Sequence, residues 1–419
     1  MKYAVVFIEG AADLPQESLE DRTPLETASL PNTAALARAG RVGAVLLSPE
    51  PFASTADVSL LSLLGYDPVC HDPGPAGVRA AAWGVQLGGS ETALCLDLLG
   101  EGEPGGDEEG LARDSGVIGP GETSVLVKDL LDLWNCHVGG PCKGWAIGGV
   151  RPGRAVLIDT ATADWSKVNT TPPECVMWRD WSTLTPHGRA PLADALEACV
   201  RQGTSLLRSH EINVTRREQG LGPALIPWLW GPGRVLSLPP FRERFGLRGA
   251  MFCASEEAAA VARAAGWEVD LLDAEDLTRI TARAARAIRG VDLVCVHLHA
   301  ATGPADPLDK VASLQQIDSR VVGPLAAAME QFGNSDKDPG AVGWRLLLAA
   351  GRGSAPAPAQ AMSPFLMTGA WIRSLVARGF SEAAAEASDL QVSPGWELME
   401  YFLRSGMVGG KGARGRRAR

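Results

Sequence analysis

The chain lacks any Cys-x-x-Cys pair: its eight cysteines stand singly at positions 70, 95, 136, 142, 175, 199, 253 and 295 of 419 residues. A chain of this length needs no covalent staples, so reduced thiols in a cytoplasm are the expectation. Long apolar runs are missing too. No stretch approaches the ~20 apolar residues of a membrane span, so no membrane partner is expected. The run Tyr3-Ala4-Val5-Val6-Phe7-Ile8 is too short for a signal peptide and is broken by Glu9. Excess positive charge is absent, the formal net charge being −10, which argues against nucleic acid as the partner of the folded body. The exception is 406–419, where Lys411, Arg414, Arg416, Arg417 and Arg419 stand among glycines; it is expected to be a solvated, disordered basic tail.

What is present reads as a large α/β protein. At 419 residues with 46% hydrophobic content, two or three domains, or one core carrying an insertion, are expected. A buried strand over 3–8 leads to Glu9-Gly10, Asn32 is read as the cap of a helix that Gly40 closes, and 41–48 reads as the next strand. Periodicity loosens between about 70 and 215, where an inserted α+β domain is placed at 71–219. The core then resumes over 220–405: strands at 249–253, 267–272, 291–299 and 344–349 alternate with helices at 255–266, 275–289 and 307–332, and 351–358 reads as a loop. Such alternation implies a mostly parallel sheet with helices on both faces, and ligands then gather at the strands' C-terminal edge. Glu9, the turn Ser54-Thr55-Ala56-Asp57, the stretch 297–306 and the loop after Ala350 all arrive there.

Ser54 or Thr55 occupies the N-cap of a helix whose face carries Val58, Leu61 and Leu64. A hydroxyl held by a helix N-terminus serves either as a plain cap or as a nucleophile that carries phosphate. His297 and His299, two apart on a strand, share one face and form either a structural pair or, with Asp306 or Glu9, a metal site. The formal Gly-x-Gly-x-x-Gly at 100–105 lacks the flanking strand and helix, and its glutamates would repel phosphate. His187 is isolated, and Trp228 and Trp230 read as core packing.

Several stretches, in order, resemble the archaeal-type, cofactor-independent phosphoglycerate mutases. They are 3–10, Arg22-Thr23-Pro24-Leu25-Glu26, Leu30-Pro31-Asn32, Gly40-Arg41-Val42-Gly43 and 61–68, then Thr171-Pro172-Pro173, 210–217, Trp228-Leu229-Trp230-Gly231, Val296-His297, Ile317-Asp318 and 396–402. The resemblance implies an alkaline-phosphatase-like core with an inserted cap. It also implies interconversion of 3-phosphoglycerate and 2-phosphoglycerate through a phosphoserine flanked by two divalent ions, Mn2+ or Mg2+.

The residues depart from that family pattern where the chemistry lies. Glu9 stands for an Asp. The Gly-Ser-Asp-Val-Ala-Asn motif reads Thr55-Ala56-Asp57-Val58-Ser59-Leu60, so its serine falls on Ala56. The Ala-Pro-Asp-Glu-Ala-Gly-His motif reads 300–306, exchanging Asp for Thr302 and His for Asp306; an Asp-His pair falls at Gly351-Arg352 and a late histidine near Pro358. The His after Thr-Pro-Pro falls on Glu174, and an Asn falls on Leu225. Candidate nucleophiles are therefore Thr55 or Ser54, candidate metal ligands Glu9, Asp57, His297, His299 and Asp306, and a candidate anion-binding residue is Arg352 with Arg79 or Lys143.

Three readings follow. One is a mutase-like protein that has lost its catalytic equipment, needs no cofactor, and persists as a binding, regulatory or scaffolding homologue with a phosphorylated small molecule as a candidate ligand. A second is a working metal-dependent mutase using Thr55 or Ser54. The third is an enzyme of altered chemistry built on His297 and His299.

Overall fold

The computed structural model describes residues 1–50, 52, 55–101, 111–112, 118–137, 143–160, 163–165, 168–173, 187–188, 191–274, 276–300, 306–334, 337–338, 340–352, 361–374, 376 and 379–405. Ser54, Glu174, Thr302, Pro358, residues 102–105 and the tail 406–419 lie outside them. Among the described residues no helix is long and apolar enough to cross a membrane.

The strand Lys2–Ala12 lies at the centre of an eight-stranded sheet. Leu293–His299 pairs with it in parallel on one side and Trp344–Arg352 on the other. Beyond Leu293–His299 come Gly249–Cys253 and then Glu268–Leu271, both parallel. Beyond Trp344–Arg352 come Ser363–Gly369 and Arg41–Val45, joined antiparallel, and then Gln391–Val392. Side chains alternate across this sheet. Tyr3, Val5 and Phe7 pack with Leu60, Leu61, Ala259 and Phe402 on one face. Ala4, Val6 and Ile8 pack with Ile280, Leu314 and Leu325 on the other. The fold is thus the expected α/β class, a mostly parallel sheet flanked by helices.

Local chemistry sets several element ends differently from the sequence reading. Pro31, not Asn32, opens the helix Pro31–Ala39, and Leu30 at the N-cap makes no side-chain bond. The carboxylate of Asp318, distant in sequence, accepts from the Asn32 N–H at 3.1 Å and the Thr33 N–H at 2.7 Å in place of a local cap. The helix expected over 307–332 is interrupted: Pro307–Ile317 and Gly323–Glu330 flank one wider turn, Asp318–Val322. Pro324 has no N–H to give the Arg320 carbonyl four residues back. The Thr281 hydroxyl donates to that carbonyl instead, at 3.0 Å. Arg345, fully buried, donates to the carbonyls of Ala370, Phe402 and Leu403, tying the central sheet to the end of the helix Glu397–Arg404.

A second sheet runs Leu111–Ala112, Thr92–Glu101, Arg154–Asp159, Ala146–Arg151, with Ile226–Gly233 also paired to Thr92–Glu101. The last strand was expected with the core over 220–405 and pairs instead with Thr92–Glu101, which lies in the stretch expected to be inserted. Trp228 and Leu229 belong to the second hydrophobic cluster, beside Trp134 and Leu196 of the covering helices Pro120–His137 and Pro191–Ser209. The chain passes between the two sheets at 72–77 and 231–234, and these passages touch: Arg234 N–H donates to the Pro73 carbonyl at 2.7 Å. A side chain on Gly233 would come within 2.2 Å of Gly77 N, so only glycine admits this approach.

Candidate active site

The parallel register carries chemistry-bearing residues to one edge. Glu9 stands opposite His299, and Phe7 opposite His297, on the adjacent strand. Cys253 stands opposite His297 on the far side, and the helix Glu256–Ala264 follows with Ser255 as its cap, its hydroxyl accepting from Ala258 N–H. The helix Ala56–Leu63 begins at the same edge, with Thr55 in the extended N-cap conformation.

Glu9 is 3% exposed, and among the described residues its Oε2 has no hydrogen-bond partner. Burial, and then the charge of Asp57, push its pKa up to about 8. The close approach of Gly351 completes this pocket: a Cβ there would lie 2.8 Å from Glu9 Oε2 and from the Phe7 ring. Gly351→Ala is therefore expected to destabilise the protein by about 1–3 kcal/mol through overpacking; a urea unfolding midpoint equal to the parent's would refute the contact.

Asp57 sits in the first turn of its helix. Burial raises its pKa most; Thr55 and backbone N–H groups oppose that shift, and Glu257 adds to it. Thr55 contributes no helix-capping bond, and its buried Oγ1 makes no hydrogen bond of good geometry, although it is close enough to Asp57 to favour the charged carboxylate. His297 is 1% exposed, and among the described residues neither ring nitrogen has a hydrogen-bond partner. Burial, and then His299, hold its pKa well below the usual histidine range, so the ring is neutral. The two imidazoles meet edge to face, 5.0 Å between centroids, with the Phe7 ring 5.4 Å from His297. For His299, at the strand end, desolvation lowers the pKa and Glu257 opposes this.

Other candidates are placed elsewhere. Asp306 caps the helix Pro307–Ile317, its Oδ1 accepting from Leu308 N–H at 2.9 Å. Strand alternation turns Arg352 away from the Gly351 side, and its guanidinium donates to the Met362 carbonyl at 3.2 and 3.0 Å. Arg79, its suggested companion, is buried against Asp97, with contacts of 3.1 and 3.3 Å. Arg79 is thus committed to a carboxylate, whereas Arg352 is held through two of its N–H groups by a neutral backbone carbonyl. Lys143 is exposed.

Sequence reasoning missed Glu257 and Asp72. Glu257 was legible as an acidic residue in the first turn of a capped helix following a parallel strand. Asp72 follows the short helix Pro68–His71; burial, and then Asp57, push its pKa up to about 6.

Two divalent ions would need hard donors converging from several strand ends. Among the described residues no three His, Cys, Asp or Glu side chains are gathered closely enough to hold an ion. Burial raises the pKa values of Glu9, Asp57 and Asp72, and a neighbouring carboxylate adds to each: Asp57 for Glu9 and Asp72, Glu257 for Asp57. The described donor set therefore does not fit such a pair.

Comparison with known proteins accounts for the architecture. A family model described as 2,3-bisphosphoglycerate-independent phosphoglycerate mutase matches residues 37–213. A protein of that name from Methanothrix thermoacetophila is 31% identical over 363 residues, covering 83% of this chain and 85% of its own. A probable enzyme of that name from Geobacter sulfurreducens is 28% identical, covering 96% of this chain and all of its own. Among solved structures, the PH0037 protein of Pyrococcus horikoshii superposes with a TM-score of 0.65 at 19% identity, covering 98% of this chain and 99% of its own. The cofactor-independent phosphoglycerate mutase of Thermoplasma acidophilum superposes with a TM-score of 0.52 at 19% identity, covering 96% and 99%, which bears on the fold alone. With sequence similarity running through most of its length and the fold in agreement, the chain belongs to the 2,3-bisphosphoglycerate-independent phosphoglycerate mutase family.

Proposed function

We propose that this chain keeps the fold of its family and has lost the phosphoserine route, so that it acts as a binding or regulatory homologue. The observation that carries this reading is Ala56. It occupies the first position of the helix Ala56–Leu63, where the resemblance puts the nucleophilic serine, and an alanine side chain cannot accept phosphate. The diverted Arg352, Asp306 spent on a helix cap and the carboxylates crowded around Glu9 support it. The free cysteines at 70, 95, 136, 199, 253 and 295 fit a reducing cytoplasm.

The test is a mutase assay on 3-phosphoglycerate after equilibration with Mn2+ or Mg2+, read beside elemental analysis of the purified protein. No turnover and no retained ion pair is the expected outcome. Turnover with about two equivalents of manganese would overturn the reading.

One observation favours a second reading. The Thr55 hydroxyl, buried beside Asp57 and without a bond of good geometry, is available as a substitute nucleophile. On that reading a phosphothreonine forms and Thr55→Ala abolishes turnover; on the favoured reading Thr55→Ala changes no measurable phosphotransfer.

A further inference from the structure

The helix Leu277–Ala287 and the turn after it carry Arg279, Arg283, Arg286 and Arg289, all exposed, while Ile280, Thr281 and Ala284 face inward. The stretch 277–290 contains no acidic residue. Other exposed helix faces of this chain balance their cations at i,i+4: Lys128 with Asp132, Glu197 with Arg201, Glu400 with Arg404. Here only Arg283 is neutralised, by Asp270 of the neighbouring strand. Among the described residues no carboxylate pairs with Arg286 or Arg289.

Those two arginines border an open groove of about 520 Å3 between this helix and Gly323–Glu330, lined also by Ala285, Ala327, Ala328 and Gln331. Gln331 fixes one end of it. Its Nε2 donates to the Ala328 carbonyl at 2.6 Å and its Oε1 accepts from Arg289 Nη2 at 3.0 Å, which ties the Arg289 guanidinium to the facing helix and uses one of its N–H groups. The first helix leads into Leu293–His299 and the second towards Trp344–Arg352, so the groove lies near the N-terminal edge of the large sheet, the end opposite Glu9 and His299.

Shape and charge together select an occupant. Three alanines leave a shallow apolar channel that a further helix can approach closely. Guanidiniums three residues apart match carboxylates at i and i+3 or i+4 on that helix. A single-stranded nucleic acid would use aromatic platforms for its bases, and none lines the groove. Its long phosphate row would also meet the chain's net charge of −10. A short acidic helix meets only the local field, within a screening length of about 8–10 Å.

We propose that this groove docks an acidic amphipathic helix of a partner protein, with apolar side chains over Ala285, Ala327 and Ala328 and carboxylates on Arg286 and Arg289. The surface is separate from the candidate active site, and the proposal goes beyond the loss of phosphoryl transfer without depending on it.

The test is fluorescence anisotropy of the full chain with a labelled helical peptide of about 20 residues, carrying alanine and leucine on one face and glutamates at i and i+4 on the other. A scrambled peptide of the same composition, a single-stranded oligothymidylate and phosphatidylserine vesicles are the comparators. Saturable binding of the patterned peptide is expected, tighter than that of any comparator and weakening as salt rises. Arg286→Glu with Arg289→Glu should weaken it about tenfold or more, two ion pairs being turned into repulsions. Ala327→Trp should weaken it too, by filling the groove without altering charge, whereas Arg201→Glu on the helix Pro191–Ser209 should leave it unchanged. All of these positions are exposed, and circular dichroism with urea midpoints checks that each variant is folded. No binding of the patterned peptide, equal binding of the scrambled one, undiminished binding by the double reversal or by Ala327→Trp, or tighter binding of the oligonucleotide or the vesicles would each overturn the proposal. Turnover of 3-phosphoglycerate is scored separately, so the two ideas fail by different readouts.

Discussion

Glu9→Gln unfolds at a higher urea concentration than the parent at pH 8, and the two proteins differ little at pH 4. Burial and Asp57 raise the Glu9 pKa from 4.5 to about 8 in the folded chain, so the folded state holds a proton that the unfolded state gives up. The sign follows directly. The parent is most stable where the carboxyl is protonated in both states, below about pH 4.5. It loses stability as the pH rises from there to about 8, and is level beyond. A shift of that size corresponds to about 5 kcal/mol between the ends of the window. Glutamine keeps the shape and removes the ionisation, so its stability should be flatter across that window by a similar amount. Parallel pH profiles for the two proteins would show that Glu9 is ionised in the folded chain, with a cation or water network compensating it.

Asp97→Ala has the second large effect, in the opposite direction. Asp97 is 3% exposed and Arg79 is 5% exposed. The pair is bidentate, the Trp230 indole N–H donates to the same carboxylate, and the Arg79 guanidinium lies over the Trp230 ring at 5.1 Å. Burial works against the Arg79 charge, but Asp97, together with Cys95 and Glu257, outweighs it and raises the pKa above the ordinary arginine value. Removing the carboxylate leaves that cation uncompensated in the interior, a loss of roughly 3–5 kcal/mol. Replacing both partners, as Arg79→Met with Asp97→Leu, should recover most of the loss, because the pair itself contributes little beyond an apolar contact of the same shape. The check is urea unfolding of the two single variants and the double. Equal midpoints for Asp97→Ala and the parent would mean that water reaches Arg79.

The sequence carried the parts of the fold that depend on neighbours in the chain. The apolar run ending at Glu9-Gly10 marked the central strand, and Ser255 with Gly266 bracketed the helix Glu256–Ala264, because a cap and a stop act within a few residues. What depended on distant chain was hidden. Asn32 looked like a cap because its type suits one, whereas the bond comes from Asp318, 286 residues on. The apolar run around Trp228 reads the same in either sheet, and only pairing with Thr92–Glu101 assigns it.

The candidate site was legible as a set of strand ends and partly illegible as a set of side chains. Glu9, His297 and His299 could be brought together by parallel register. Arg352 could not be placed, since one residue of alternation separates the face that Gly351 presents to Glu9 from the face where Met362 takes the guanidinium. Glu257 was overlooked because a first-turn glutamate looks like an ordinary dipole partner until another helix sets Asp57 beside it.

The position of Lys2–Ala12 at the middle of the large sheet also bears on synthesis at the ribosome. Tyr3 pairs with Leu293 and Arg345, so this apolar strand has neither neighbour until some 290 further residues have been translated. At about 5–20 residues per second the wait is on the order of 15–60 s. During that interval residues 76–230 already contain a hydrophobic cluster of their own. The nascent chain therefore carries an unpaired apolar strand while a later stretch already has its own core to form.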